Sequence, residues 1–259
     1  MGKTFCIGDI HGGYKSLIQC LERSNFDKEN DTLIQLGDVA DGFPETDKCV
    51  DELLSIKNLI SIKGNHDAWA HKWFETGIAL VPWVQQGGDE TIESYKGTHD
   101  KMNHHYEKFW KKQVNFYVDD KNRAFVHGGF SSSRGLGYDL DESNYYWDRD
   151  LWELALMQDR NRLPQERILN PTASNRFYKY SEVYLGHTST TSWKAKGNIK
   201  ESKDPNQILN GKITVPMNRC NVWNMDTGGG WGGKLTIMDI DSKEYFQSDF
   251  VNGIYLNIN

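Results

Sequence analysis

Three short apolar runs in the first quarter of the chain all end in the same kind of polar group, and this constrains the fold more than anything else in the sequence. Leu59-Ile60-Ser61-Ile62 leads to Gly64-Asn65-His66-Asp67. Phe5-Cys6-Ile7 leads to Gly8-Asp9-Ile10-His11-Gly12, and Leu33-Ile34-Gln35-Leu36 to Gly37-Asp38-Val39-Ala40-Asp41-Gly42. Carboxylates, imidazoles and a carboxamide make poor core, but strand ends in α/β sheets open onto a crevice where such groups are useful. Between the runs, Leu17, Ile18 and Leu21, then Val50, Leu53 and Leu54, fall at helical spacing. The pattern predicts strands over 3–8, 32–36 and 58–63 and helices over 13–23 and 46–57. Strand–helix alternation with continuously apolar strands points to a parallel sheet covered on both faces.

Beyond Ala68 the pattern changes. Residues 68–76 and 98–112 read as helices rich in aromatic residues and histidine, and paired glycines break the segment Trp83–Thr91 between them. No Pro- or Ser-rich linker separates this region, so 68–112 is expected to be a helical insertion within a single domain, 1–259. Short strands are expected over 114–119 and 123–127, the second running into His127-Gly128-Gly129. A Ser/Gly/Asp-rich loop over 131–142 and a helix over 144–160 follow. A strand over 182–185 ends in Gly186-His187-Thr188, and the polar stretch 194–212 reads as a surface loop or hairpin. The last strands fall over 220–226 and 234–240.

The net charge is −6, which argues against generic binding to nucleic acid or to an anionic membrane surface. No run approaches the roughly 20 apolar residues of a membrane helix. The start of the chain enters a strand at once, without the architecture of a signal peptide. The four cysteines, Cys6, Cys20, Cys49 and Cys220, are not spaced as a zinc pair, and reduced thiols in a cytoplasmic protein are expected.

The strand ends carry the chemistry. Asp9 and His11 alternate, so one tight turn can present both. Asp38, Asn65, His127 and His187 lie at the ends of other predicted strands, giving six candidate ligands from five loops. Divalent cations want carboxylate and imidazole, and a pair of them needs a bridging carboxylate. A carboxamide such as Asn65 suits manganese, iron or magnesium better than zinc alone. Taken singly, Asp9 and Asp38 could cap the helices that follow them, and either later histidine could be an ordinary hydrogen-bonded residue. Their joint order, Gly-Asp-x-His-Gly, Gly-Asp-x-x-Asp, Gly-Asn-His-Asp, His-Gly-Gly and Gly-His-Thr, each after an apolar run, argues for one shared site.

On these motifs the chain resembles the calcineurin-like metallophosphoesterases over nearly its full length, and within them the PPP-type phosphoprotein phosphatases. Gln86-Gly87-Gly88-Asp89-Glu90-Thr91 with Ser94-Tyr95, and Trp147-Asp148-Arg149, resemble the bacterial and phage branch. Asp226-Thr227-Gly228 and Gly232-Gly233-Lys234-Leu235-Thr236 are similar to the closing segment of symmetrical dinucleoside tetraphosphatases. The resemblance implies a four-layer αββα sandwich and two divalent metal ions, manganese first, with iron or zinc as alternatives. Asp9 and His11 would hold the first ion, Asp38 would bridge, and Asn65, His127 and His187 would hold the second. A hydroxide shared by the ions would attack phosphorus in line. His66 would protonate the departing oxygen, held and charged by Asp41. The family usually places a phosphate-gripping Arg after the second Asp of Gly-Asp-x-x-Asp, where this chain has Gly42; Arg149 matches a second family Arg and could clamp phosphate. The implied activity is hydrolysis of phosphomonoesters by a serine/threonine-type protein phosphatase, with a dinucleoside tetraphosphatase or other nucleotide phosphoesterase as the alternative. The partner is then a phosphorylated protein or a nucleotide substrate, with neither a membrane nor a stable nucleic-acid partner.

Overall fold

A computed structural model describes residues 2–160, 176–193, 208–209 and 212–255. In chain order the first half contains β1 (Thr4–Ile7), α1 (Tyr14–Arg23), β2 (Thr32–Gln35), α2 (Thr46–Leu54), β3 (Asn58–Ser61), α3 (Asn65–Thr76), α4 (Val81–Trp83), α5 (Asp89–Ser94) and α6 (His99–Lys108). The second half contains β4 (Phe116–Val118), β5 (Arg123–Val126), α7 (Asn144–Trp147), α8 (Asp150–Arg160), β6 (Glu182–Leu185), β7 (Ile208–Leu209), β8 (Lys212–Ile213), β9 (Met217–Arg219), β10 (Val222–Asn224), β11 (Thr236–Asp239), β12 (Tyr245–Gln247) and α9 (Val251–Tyr255).

Two five-stranded sheets form, in the orders β12-β11-β1-β2-β3 and β4-β5-β6-β10-β9. Within the first, β1, β2 and β3 are parallel and β11 and β12 join antiparallel. Within the second, β5, β6 and β10 are parallel and β4 and β9 form antiparallel edges. The parallel β1, β2 and β3 are those expected from the strand–helix alternation, and antiparallel strands complete each of the two sheets. The short terminal strands β9 and β12 carry too little periodicity to be read locally.

Alternation along the strands builds the layers. Phe5, Ile7, Leu33 and Ile237 pack under α1 and α2 with Leu17, Val50 and Leu53. Ala124, Val126, Val183 and Leu185 pack under α8 with Leu151 and Trp152. The intervening residues, Cys6, Ile34, Phe125, Tyr184 and Met238, meet between the sheets, where the Phe125 and Tyr184 rings stack at 4.9 Å. Each strand thus feeds two apolar layers, and a one-residue slip would exchange them. This is the αββα sandwich.

Other expectations shift in detail. The third helix begins at Asn65 rather than near Ala68, so Asn65 and His66 occupy its first turn. The paired-glycine segment breaks the helical path between α4 and α5, as expected, at the non-helical angles of Gln86 and Gly87, and the chain kinks there. The helix expected over 144–160 divides at Asp148, whose backbone is extended and whose carboxylate accepts the Asp150 N–H at 2.6 Å, starting α8 afresh. Of the polar stretch 194–212, Ile208–Leu209 pairs with Lys212–Ile213 as a hairpin; residues 194–207 and 210–211 lie outside the described residues. Among the described residues no helix is long and apolar enough to cross a membrane.

Candidate metal centre

The polar loops leave the carboxyl ends of the parallel strands of both sheets. Asp9 and His11 follow β1, Asp38 and Asp41 follow β2, and Asn65 and His66 follow β3. His127 follows β5, His187 follows β6 and Asp226 follows β10. Facing sheets aim these loops at one another. The turns are tight: His11, Asp38, Asp41 and His187 have φ of 49°, 56°, 75° and 67°. Left-handed backbone costs a non-glycine residue about 1 kcal/mol or more, and such strain concentrates at functional sites. Asp and His tolerate it better than most residues.

Asp38 is the hub. Its Oδ2 lies 3.2 Å from His127 Nε2 and 3.8 Å from His11 Nε2, and its Oδ1 accepts the His66 N–H at 2.9 Å. His127 Nε2 also lies 3.1 Å from Asn65 Oδ1. The far nitrogens of two rings are tied back: His127 Nδ1 lies 2.7 Å from Leu36 O, and His11 Nδ1 lies 3.2 Å from Ala40 O. Such bonds fix each ring and aim Nε2 inward. Asp38, His127 and His187 offer ligand atoms within 4.8 Å of one another, as do His11, Asp38 and His66. Asp9 belongs to neither trio, but its Oδ2 accepts the His187 N–H at 3.0 Å. All six candidate ligands are buried.

This donor set fits divalent cations. Asp9 Oδ1 and His187 Nε2 are buried without any hydrogen-bond partner, a costly state for polar atoms unless something else engages them. Burial, with Asp226 close by, holds the Asp9 carboxyl well above the ordinary carboxylate range, and burial raises Asp226 to about 6. Burial pushes His11 down to about 4 and His187 to about 2, keeping both rings neutral and able to donate lone pairs. At His127 burial is outweighed by Asp38, and the ring rises to about 10. Asp38 stays ionised because His127, His66 and His11 overcome its burial.

His66 and Asp41 form a second arrangement at the edge of the first. His66 Nδ1 lies 2.6 Å from Asp41 Oδ2. Burial opposes a charged imidazole here, but Asp38 and Asp41 outweigh it and raise the His66 pKa. Arg149 is exposed in the turn between α7 and α8. It donates to the His187 carbonyl at 3.2 Å and the Thr188 hydroxyl at 2.9 Å, so it reaches the site rather than an i, i+4 helix partner. Gly42 has φ 83°, and a Cβ there would lie 3.2 Å from His11 Cβ. An arginine at that position would be strained and crowded, which explains why the loop carries glycine.

Sequence reasoning gave no role to several residues. Asp67 accepts the Val39, Ala40 and Gly64 N–H groups at 2.8, 3.1 and 3.1 Å and the Gln113 amide at 2.9 Å; it splints the Asp38 loop to the Asn65 loop. Asp226 stands in the sequence only as the first residue of Asp226-Thr227-Gly228. Trp83 and Thr91 hydrogen-bond Asp41. A buried carboxylate beside the ligand motif could have flagged Asp67, but no local signal joins Trp83 or Thr91 to a residue more than 40 positions away.

Residues 2–200 match the family model described as calcineurin-like phosphoesterase. The chain is 31% identical over 153 residues to serine/threonine-protein phosphatase 2 of Escherichia coli strain K12, covering 58% of this chain and 69% of that one. It is 24% identical over 273 residues to the symmetrical bis(5'-nucleosyl)-tetraphosphatase of Pseudomonas fluorescens strain SBW25, covering 94% and 93%. The fold is similar to that of a protein serine/threonine phosphatase from Saccharomyces cerevisiae, with a TM-score of 0.59 at 14% identity over 96% of this chain and 79% of that one. Together with the sandwich fold, the family match shows that the chain belongs to the calcineurin-like phosphoesterases, hydrolytic enzymes whose fold implies divalent metal ions.

Proposed function

We propose that the chain is a metal-dependent phosphomonoesterase, a serine/threonine-type protein phosphatase. Asp9 and His11 would hold one ion, Asn65, His127 and His187 the other, and Asp38 both. The observation that carries the reading is Asp38 facing His127 and His11, with the His66–Asp41 pair immediately beside it. The ions, when bound, would withdraw charge from the phosphoryl oxygens and acidify the attacking water. Manganese is the best fit for a set that includes a carboxamide, with iron or zinc next.

The chain's own groups do the rest. As water oxygen bonds to phosphorus and the ester P–O bond breaks, the departing oxygen takes a proton from His66. Asp41 keeps that ring oriented and charged. Arg149, already directed at the rim of the centre, holds a phosphate oxygen. His11 needs no charge for its role, in keeping with its lowered pKa. The same reading treats residues 1–259 as one unit with 68–112 inserted over the site. Three fully buried thiols, Cys6, Cys20 and Cys49, support a cytoplasmic setting.

A second substrate class, a dinucleoside tetraphosphate, is favoured by two observations. The match to the tetraphosphatase spans nearly all of both chains, and exposed tryptophans flank the centre. The Trp147 ring lies 6.1 Å from His187 and the Trp231 ring 5.9 Å from His11. The deciding experiment loads the purified protein with manganese and offers phosphoserine peptide, p-nitrophenyl phosphate and diadenosine tetraphosphate at equal concentration. Faster phosphate release from the first two supports the phosphatase reading, and faster turnover of the nucleotide supports the second. No turnover of any of them with manganese, iron, nickel or zinc sinks both.

A further inference from the structure

The bent segment around Gly87 and Gly88 takes no part in the chemistry above, yet it ends on the residue that holds the proton donor. Asp41 is fully buried, and its carboxylate accepts three side-chain hydrogen bonds. His66 Nδ1 and Trp83 Nε1 both reach Oδ2, at 2.6 and 2.7 Å, and the Thr91 hydroxyl reaches Oδ1 at 2.8 Å. The Thr91 oxygen also accepts the Asp41 backbone N–H at 2.8 Å. Its proton is already spent on Asp41, so the Thr46 hydroxyl, 3.2 Å away, donates to it. Trp83, Thr91 and Thr46 are all completely buried.

The glycines make this contact possible. Gly87 adopts φ 98°, and a Cβ there would lie 2.6 Å from the Gly42 nitrogen; the Gly42 N–H donates to the Gly87 carbonyl at 3.3 Å. A Cβ on Gly88 would lie 2.5 Å from the Trp83 ring. The bend therefore lays the segment directly on the Asp41 loop and seats the indole against its own backbone.

A carboxylate bound to a histidine fixes ring orientation and charge only if it cannot turn away itself. With donors on both oxygens, the Asp41 plane is set by α4 and α5 rather than by its own loop. Resting on the donor role proposed above for His66, we infer that Trp83 and Thr91 are positioning residues for leaving-group protonation. The segment from α4 to α5 is thereby part of the machinery and not a cover over it.

General-acid help matters most when the leaving group is a poor one, so the test compares phenyl phosphate with dinitrophenyl phosphate on the manganese-loaded protein. Thr91→Val keeps the shape and removes the hydroxyl, Thr91→Ser restores it, and Trp83→Phe removes the N–H. Thr91→Val and Trp83→Phe are expected to lose roughly tenfold to a hundredfold in kcat on phenyl phosphate and less than about threefold on dinitrophenyl phosphate, with KM little changed. Thr91→Ser is expected to recover most of the loss. A second readout needs no turnover: the downfield ring N–H proton of His66, identified by its absence in His66→Gln, shifts upfield in both variants. Equal losses on the two substrates, or an unmoved resonance, would overturn the inference. If Trp83→Phe does not fold, the Thr91 pair decides. If His66→Gln itself loses equally on both substrates, the donor role fails and takes this inference with it; if His66→Gln is selective and Thr91→Val is not, this inference fails alone.

Discussion

A methyl group on Gly64 would run into Asp38 Oδ1 and the Asp38 backbone nitrogen. The hub carboxylate is therefore held by how closely the next loop approaches it. Gly64→Ala is expected to destabilise the fold by about 1–3 kcal/mol through overpacking and to displace Asp38 from His127 and His11. Thermal denaturation and metal content after dialysis, measured on the same sample, check this. Unchanged stoichiometry at wild-type stability would show that the close approach does not matter. At this scale the sequence is legible where a ligand carries its own signature. Asp9, His11, Asp38, Asn65, His127 and His187 each sit next to a glycine or just past an apolar run, and the structure draws them to one place. Asp67 lies in the same motif as Asn65, but both of its carboxylate oxygens are taken up, one by the Val39 and Ala40 N–H groups and the other by the Gly64 N–H and the Gln113 amide, whereas Asp9 Oδ1 is buried with no hydrogen-bond partner, a distinction that exists only after the loops have met.

At the scale of elements, α3 is the one on which most depends, because its first turn presents Asn65 and His66. Its other end stops at Gly77, which is left-handed with φ 70°, and its N–H reaches the Trp73 carbonyl at 2.7 Å. A Cβ on Gly77 would meet nothing within 4 Å, so Gly77→Ala isolates backbone strain from crowding. It is expected to cost about 1–2 kcal/mol with kcat unaffected, as read by chemical denaturation alongside turnover. A loss below about 0.3 kcal/mol would mean the helix end relaxes. The sequence placed this helix three residues late because Asn, His and Asp are weak helix formers. They are tolerated in the first turn because Asp67, at its third position, accepts the Gly64 N–H. The break at Gln86 and Gly87 is legible because glycine signals a helix end; that the kinked chain lies on the Asp41 loop, with the Gly42 N–H donating to the Gly87 carbonyl, is decided only by packing.

For the whole molecule, the centre is a clasp between two sheets. Its loops come from β1, β2 and β3 on one side and from β5, β6 and β10 on the other, so cations bound there would tie the layers together. Ligands that bind only the folded state stabilise it by mass action, about 2.7 kcal/mol at a concentration one hundred times Kd. For a chain of this size that corresponds to a rise in Tm of about 5–10 °C. Chelation is expected to lower Tm by that amount and re-addition of manganese to restore it, followed by circular dichroism. A Tm indifferent to chelator and metal, in protein shown to have been loaded, would argue against a clasp.

Two kinds of information divide along physical lines. The first strands, the helices between them and the polar residues that make candidate ligands are legible in the chain itself, because period, apolar runs and glycine-flanked polar residues act over a few neighbours. Which sheet each later strand joins, the packing of the insertion onto the Asp41 loop, and the hydrogen bonds from Trp83 and Thr91 to Asp41 were decided by the tertiary structure alone. Those contacts join residues dozens of positions apart, and their geometry exists only once the two sheets have packed and buried them.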